Sequence, residues 1–145
     1  MLKDFDLWNT AKKAVDHGPE IFGVHQRELW WIAAGVNVGV EIDGKHTTLE
    51  RPAVILRKFN NQMTRVLPVT SRVKDSPFYQ RFTFGDQTYY AALTQLRTIS
   101  TKRFLRKIGM IPAADFARMQ SRVASFALQN ERSPAQGGAP RRPKP

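Results

Sequence analysis

Phe5, Trp8, Ala11 and Val15 recur at spacings of three and four, which places them on one face of a helix predicted over residues 2–17. Asp4 and Asp6 precede Lys12 and Lys13, an order of charge that suits the helix dipole. Gly18-Pro19 ends the segment. The pattern then becomes that of short strands. Residues 28–36 (ELWWIAAGV) are a compact apolar run, and residues 38–42 (VGVEI) alternate up to the turn Asp43-Gly44. Residues 52–59, 64–71, 79–84 and 88–96 continue the series, with Asn60-Asn61 and Gly85-Asp86 between them as turns. Pro52 suits a strand start, whereas Pro68 predicts an edge or a bulge.

Helical spacing returns near the end. Ser100 or Thr101 could cap a short turn through residue 107. Residues 112–129 read as a full helix with an apolar stripe of Phe116, Met119, Val123, Phe126 and Ala127. The expected fold is therefore mainly β with a C-terminal helix: a small, mostly antiparallel barrel preceded by an amphipathic helix. Three segments are expected: residues 1–25 as a helical extension, 26–130 as the barrel and 131–145 as a Pro/Gly-rich disordered tail.

At 145 residues, 41% of them hydrophobic, the chain can build one sizeable core. Its 23 basic residues outnumber 12 acidic ones, for a formal charge of +11. Such a field recruits polyanions, nucleic acid first among them. The absence of cysteine removes disulfides, thiolate nucleophiles and cysteine-ligated metals. The N-terminus lacks the long apolar run of a secretory signal, and no window has the length of a membrane span, so a cytoplasmic location without membrane contact is expected.

His17, His25 and His46 lack tight ligand spacing and the acids are scattered, so neither a metal nor another cofactor is expected. Arg51 opens one strand, and Thr70-Ser71 closes another. A guanidinium can clamp a phosphate and stabilise charge developing on it, and a hydroxyl can donate to a non-bridging oxygen. RNA carries its own nucleophile, the 2′-hydroxyl, so cleavage needs only acid–base help and electrostatic stabilisation. The same residues also fit a plainer reading, a strand-edge arginine and a Thr-Ser cap. Basic residues cluster around them in two groups, from Arg51 to Lys74 and from Arg97 to Lys107. Tyr79, Tyr89 and Tyr90 lie between these groups, a mixture suited to gripping and stacking single-stranded RNA.

A longer series runs from about residue 26 to 129: Arg27-Glu28-Leu29-Trp30, Gly39, Glu41, Arg51-Pro52-Ala53-Val54-Ile55-Leu56, Phe59-Asn60, Pro68-Val69-Thr70-Ser71, Thr94-Gln95-Leu96-Arg97-Thr98, Lys102-Arg103 and Lys107-Ile108-Gly109. In order and spacing it resembles the MazF/PemK family of toxin endoribonucleases. The resemblance implies an SH3-like barrel and a homodimer whose shared face holds single-stranded RNA. It also implies metal-independent cleavage to a 2′,3′-cyclic phosphate and a 5′-hydroxyl, and a cognate antitoxin that blocks that face.

Under this resemblance Arg51 contacts the scissile phosphate, and Thr70 and Ser71 position phosphate and bases. Glu28, Gln95, Arg97, Asn60 and Arg72 fall in the RNA-binding or supporting set. The chain also departs from the pattern. Many members have Asp where this chain has Thr94, and some have an arginine where it has Ala92. Arg27 stands in place of a usual glycine, and residues 43–50 lengthen the loop before Arg51. Glu28 and Glu41 are acid–base candidates by position alone, and Glu41 equally suits a loop anchor. Two functions stay open: a sequence-selective ribonuclease toxin, or a noncatalytic barrel that binds RNA or a protein.

Overall fold

The computed structural model describes residues 2–128. Helix α1 (Phe5–His17) leads into strands β1 (Glu28–Ala33), β2 (Glu50–Lys58), β3 (Met63–Thr70), β4 (Tyr79–Phe84), β5 (Gln87–Ala92) and β6 (Arg97–Ser100). A single 3-10 turn (Thr101–Arg103), strand β7 (Phe104–Met110) and helix α2 (Ala113–Leu128) complete the order. The sheet runs β4-β5-β3-β2-β1-β7 with every pairing antiparallel, and β6 joins β3 beside β5. The expected small antiparallel barrel with a C-terminal helix is thus present.

Two faces of the central strands are buried, which explains their nearly continuous apolar runs. On one face Leu29, Val54, Leu56 and Leu67 meet Phe116, Met119 and Val123 of α2, the first three positions of the expected stripe; its last two, Phe126 and Ala127, are exposed. On the other face Trp30, Ile32, Ala53, Ile55 and Val66 close around Ile99 and Phe104. A third cluster forms where Trp8 of α1 packs on Ala33, Val36 and Leu49. Gly35 makes that contact possible, because a Cβ there would lie 2.2 Å from the indole, and its φ of +80° also favours glycine.

The structure corrects several sequence expectations. Residues 38–42 form no strand: the segment between β1 and β2 is a loop with bends and turns, and Val38 and Val40 are 71% and 92% exposed. Its alternation has no apolar face to cover. The turn expected through residue 107 stops at Arg103, where Ser100 Oγ accepts from Lys102 N–H at 3.1 Å. Residues 104–110 instead pair with β1, their strand character concealed by Arg106 and Lys107. Strand β5 ends at Ala92, and residues 97–100 pair separately with β3. Pro68 lies inside the sheet opposite Ala53; on the other edge of β3 it falls between the stretch paired with β6 and that paired with β5. A missing N–H is tolerated where no ladder runs. Helix α1 begins at Phe5 because Asp4 caps it, accepting from Leu7 N–H at 2.9 Å. The expected basic tail, residues 131–145, lies outside the described residues. Among the described residues no helix is long and apolar enough to cross a membrane.

Candidate functional site

The register that sets Ala53 opposite Pro68 brings Arg51, two residues upstream, level with Thr70, two residues downstream. The two-residue period of a strand turns both side chains to one face. Both are buried, at 7% and 4% exposure. Arg51 Nε donates to the carbonyl of Asp43, and a terminal guanidinium nitrogen donates to the carbonyl of Val69 at 3.3 Å. The guanidinium is fixed in place with donors to spare. Burial lowers the Arg51 pKa from its ordinary value, and Asp43 opposes the shift; an arginine keeps its charge regardless. Thr70 Oγ1 accepts from Arg72 N–H at 3.1 Å, which leaves its own proton to donate.

Arg51, Thr70 and Lys45 line two clefts of about 250 Å³ each. The first adds His46, Ser71 and Trp31, whose ring lies 5.0 Å from the Arg106 guanidinium. The second adds Arg72, Lys74, Tyr79 and Gln95, with the Lys74 amine 5.3 Å from the Tyr79 ring. The pair is therefore a cationic saddle with an aromatic ring in each flank. Burial lowers the Lys45 pKa, and Arg51, Arg72 and Lys74 push it further down. Burial raises that of Tyr89, which also lines the first cleft.

The loop that carries Lys45 is held from several sides. Gln95 Oε1 accepts from Ile42 N–H at 2.9 Å, and Gln95 Nε2 donates to Val40 O at 3.1 Å. Asp43 accepts from Asn37 N–H at 2.6 Å and pairs with Lys3 at 3.2 Å. Lys3 also donates to the carbonyls of Asn37 and Gly39. Glu41 accepts from Val38 N–H at 3.1 Å, the loop-anchor reading of that residue.

The other sequence candidates divide. Ser71, Arg72 and Gln95 join the clefts, although both polar ends of the Gln95 side chain are engaged with the loop. Arg97 lines a neighbouring hollow of about 360 Å³ with Glu41, Thr94 and Gln95. Glu28 lines neither cleft. Its carboxylate accepts from Trp30 Nε1 and His25 N–H and pairs with Lys107 at 2.8 Å. Burial pushes its pKa up, but Lys107, Trp30 and the His25 amide outweigh it and hold the group below its ordinary value. Asn60 sits in the β2–β3 turn, where its side chain accepts from Gln62 N–H at 2.8 Å, at the far end of β2 from Arg51.

Sequence reasoning missed Lys45 and His46. The available signal was the lengthened loop directly before Arg51, with both titratable residues in it. Among the described residues no group of three or more His, Asp or Glu side chains is placed to hold a metal ion.

A family model described as PemK-like, MazF-like toxin of type II toxin-antitoxin system matches residues 25–127. No curated protein matches the sequence. Among solved structures, MazF (Form-I) from Deinococcus radiodurans is 20% identical with a TM-score of 0.60, covering 72% of this chain and 96% of that one. The MazE-MazF (Form-II) structure from the same organism is 19% identical with a TM-score of 0.57, covering 74% and 97%. An endoribonuclease in complex with its cognate antitoxin from Mycobacterial species is 13% identical with a TM-score of 0.54, covering 73% and 97%. At these identities the structures establish a shared fold. The family match spans most of the chain and includes every strand: the chain belongs to the PemK-like, MazF-like toxins of type II toxin-antitoxin systems.

Proposed function

We propose that this protein is an endoribonuclease toxin that cleaves single-stranded RNA at the Arg51–Thr70 saddle without a metal. The observation that carries the reading is the fixed Arg51 guanidinium level with a Thr70 hydroxyl that has a proton to donate, inside a ring of cations. Arg51 binds the non-bridging oxygens of the scissile phosphate and stabilises the charge that grows there as the 2′-hydroxyl attacks. Thr70 donates a second hydrogen bond to the same group. His46, the imidazole lining the first cleft, accepts the 2′-hydroxyl proton, since imidazole is the commonest general base. The products are a 2′,3′-cyclic phosphate and a 5′-hydroxyl. Trp31 and Tyr79 flank the phosphate site as stacking surfaces for neighbouring bases.

Residues 26–130 act as the toxin barrel, as a homodimer in the cytoplasm, and a cognate antitoxin silences it by covering the saddle. The solved relatives with a bound MazE or antitoxin support this partner. Thr94, where many members have Asp, favours a second reading in which the barrel binds RNA or a protein without cutting. One experiment separates the two. Purified protein incubated with a diverse single-stranded RNA pool in EDTA should yield fragments ending in a cyclic phosphate, and Arg51→Ala should yield none. Binding without cleavage would establish the second reading.

A further inference from the structure

Cleavage of this kind has two proton transfers, and none of Arg51, Thr70 and His46 accounts for the second. The departing O5′ carries developing negative charge and needs a proton. Arg51 cannot supply it, because a guanidinium does not give up a proton in a protein. Thr94 cannot either, since a neutral hydroxyl is a poor acid near neutral pH.

Lys45 meets the requirement by position. It lines both clefts, as Arg51 and Thr70 do, so the residue borders the candidate phosphate site from the loop side. Its backbone is pinned to the catalytic strand: Lys45 N–H donates to Glu50 O at 2.8 Å, and Glu50 N–H returns a bond to Lys45 O at 3.3 Å. Residue 45 is thereby tied to the residue immediately before Arg51. Gly44 lets the loop approach so closely, because a Cβ there would fall 1.8 Å from the Leu49 carbonyl oxygen. The Lys45 amine makes no ion pair among the described residues. Three further cations, Arg51, Arg72 and Lys74, share the second cleft with it, and their repulsion favours release of a proton.

Resting on the ribonuclease reading above, we propose that Lys45 is the general acid that protonates the leaving 5′-oxygen. As the O2′–P bond forms, the 2′-hydroxyl proton passes to His46 and the P–O5′ bond breaks. Its electron pair stays on O5′, which takes a proton from the Lys45 ammonium. The amine is left neutral and the 5′-hydroxyl is free. His46 loses its proton to water and Lys45 regains one from water before the next turnover.

The test compares wild type, Lys45→Met and Lys45→Arg on two RNA oligonucleotides of one cleavable sequence, one ordinary and one with sulfur in place of the bridging 5′-oxygen. A thiolate leaves without protonation because thiols are acidic, with a pKa of about 8.5. Both variants should lose about a hundredfold or more in single-turnover rate on the oxygen substrate and recover to near the wild-type rate on the sulfur one. Arginine keeps the charge and cannot release the proton, so Lys45→Arg separates acid catalysis from simple phosphate binding. A wild-type rate for Lys45→Arg on the oxygen substrate, or equal losses on both substrates, would overturn the proposal and leave the ribonuclease reading standing. A wild-type protein that cuts neither substrate would remove the ribonuclease reading, and this assignment with it.

Discussion

Arg51 and Asp43 meet through the backbone: the arginine Nε–H bonds to the Asp43 carbonyl, while the Asp43 carboxylate is held by Asn37 N–H and Lys3. The phosphate-binding candidate is therefore oriented by a loop that is itself anchored from two other segments of the chain, by Lys3 and by Gln95. A guanidinium planar enough to reach Asp43 O, Val69 O and a phosphate has no equivalent in an ammonium. Arg51→Lys should keep the positive charge yet lower the cleavage rate by about a hundredfold. Single-turnover kinetics on one RNA oligonucleotide would check this, and a wild-type rate would count against the assigned geometry.

Gln95 ties the loop to the start of the β6 segment with two hydrogen bonds that span more than fifty residues of sequence. Its loss should cost about 1–2 kcal/mol of stability. The larger effect of Gln95→Ala should be local: faster protease cutting within residues 38–46 and a lower kcat, with α2 and the core strands protected as before. Hydrogen exchange read by mass spectrometry would show whether the opening is confined to the loop.

Glu28 governs a pH dependence of stability. Its folded pKa lies below the ordinary carboxylate value, so the stability it contributes is present above the unfolded-state pKa and disappears as pH falls through the folded one. Acid melts of wild type should therefore decline on the acidic side of the ordinary carboxylate range. Glu28→Gln should flatten part of that decline. Glu28→Ala, which strips acceptors from Trp30 Nε1 and the His25 amide, should cost about 3 kcal/mol at neutral pH. Urea titrations of the three proteins across pH would decide it.

Trp8 is buried at 7% exposure, against Ala33, Val36 and Leu49. Trp8→Ala should weaken docking of α1 by about 3–5 kcal/mol. Helix α1 makes few other contacts with the sheet, so limited proteolysis should remove the N-terminal segment first and leave a resistant barrel. Global unfolding of the variant at room temperature would show instead that the barrel depends on the helix.

Arg72 and Lys74 line the second cleft, Arg72 exposed and Lys74 half-buried. Each should contribute a phosphate contact, so Arg72→Ala should weaken binding of single-stranded RNA across sequences and reduce the slope of log K against log salt by about 0.7. Fluorescence anisotropy at several salt concentrations would measure the slope.

What could be read in the sequence follows from how local each cause is. The span of α2, the stop of α1 and strands β2, β3 and β4 depend on residues within a few positions, and the structure has them within a residue or two of the expected bounds. The start of α1 was placed three residues too early, because Asp4 caps the helix rather than lying in its first turn. The strand-end positions of Arg51 and Thr70 were also legible, because each stands beside a distinctive neighbour. β7 was hidden because its charged residues face solvent while only Phe104 of the strand is buried. The loop over residues 34–49 was misread because its order comes from Gln95 and Lys3, which no local pattern can announce. Lys45 and His46 escaped for the same reason: their value lies in the cleft they border.

Gly35 admits the Trp8 ring where any other residue would collide with it, and so places α1 beneath the root of the loop that carries Lys45. Lys3 reaches the same loop from just ahead of α1. Both Trp8 and Lys3 lie outside the span that the family model matches, which begins at residue 25. The span matched by the family and the mechanical support of the loop therefore have different borders in this protein. A chain trimmed to the matched span would retain Arg51 and Thr70 while losing the floor under the loop that orients Arg51.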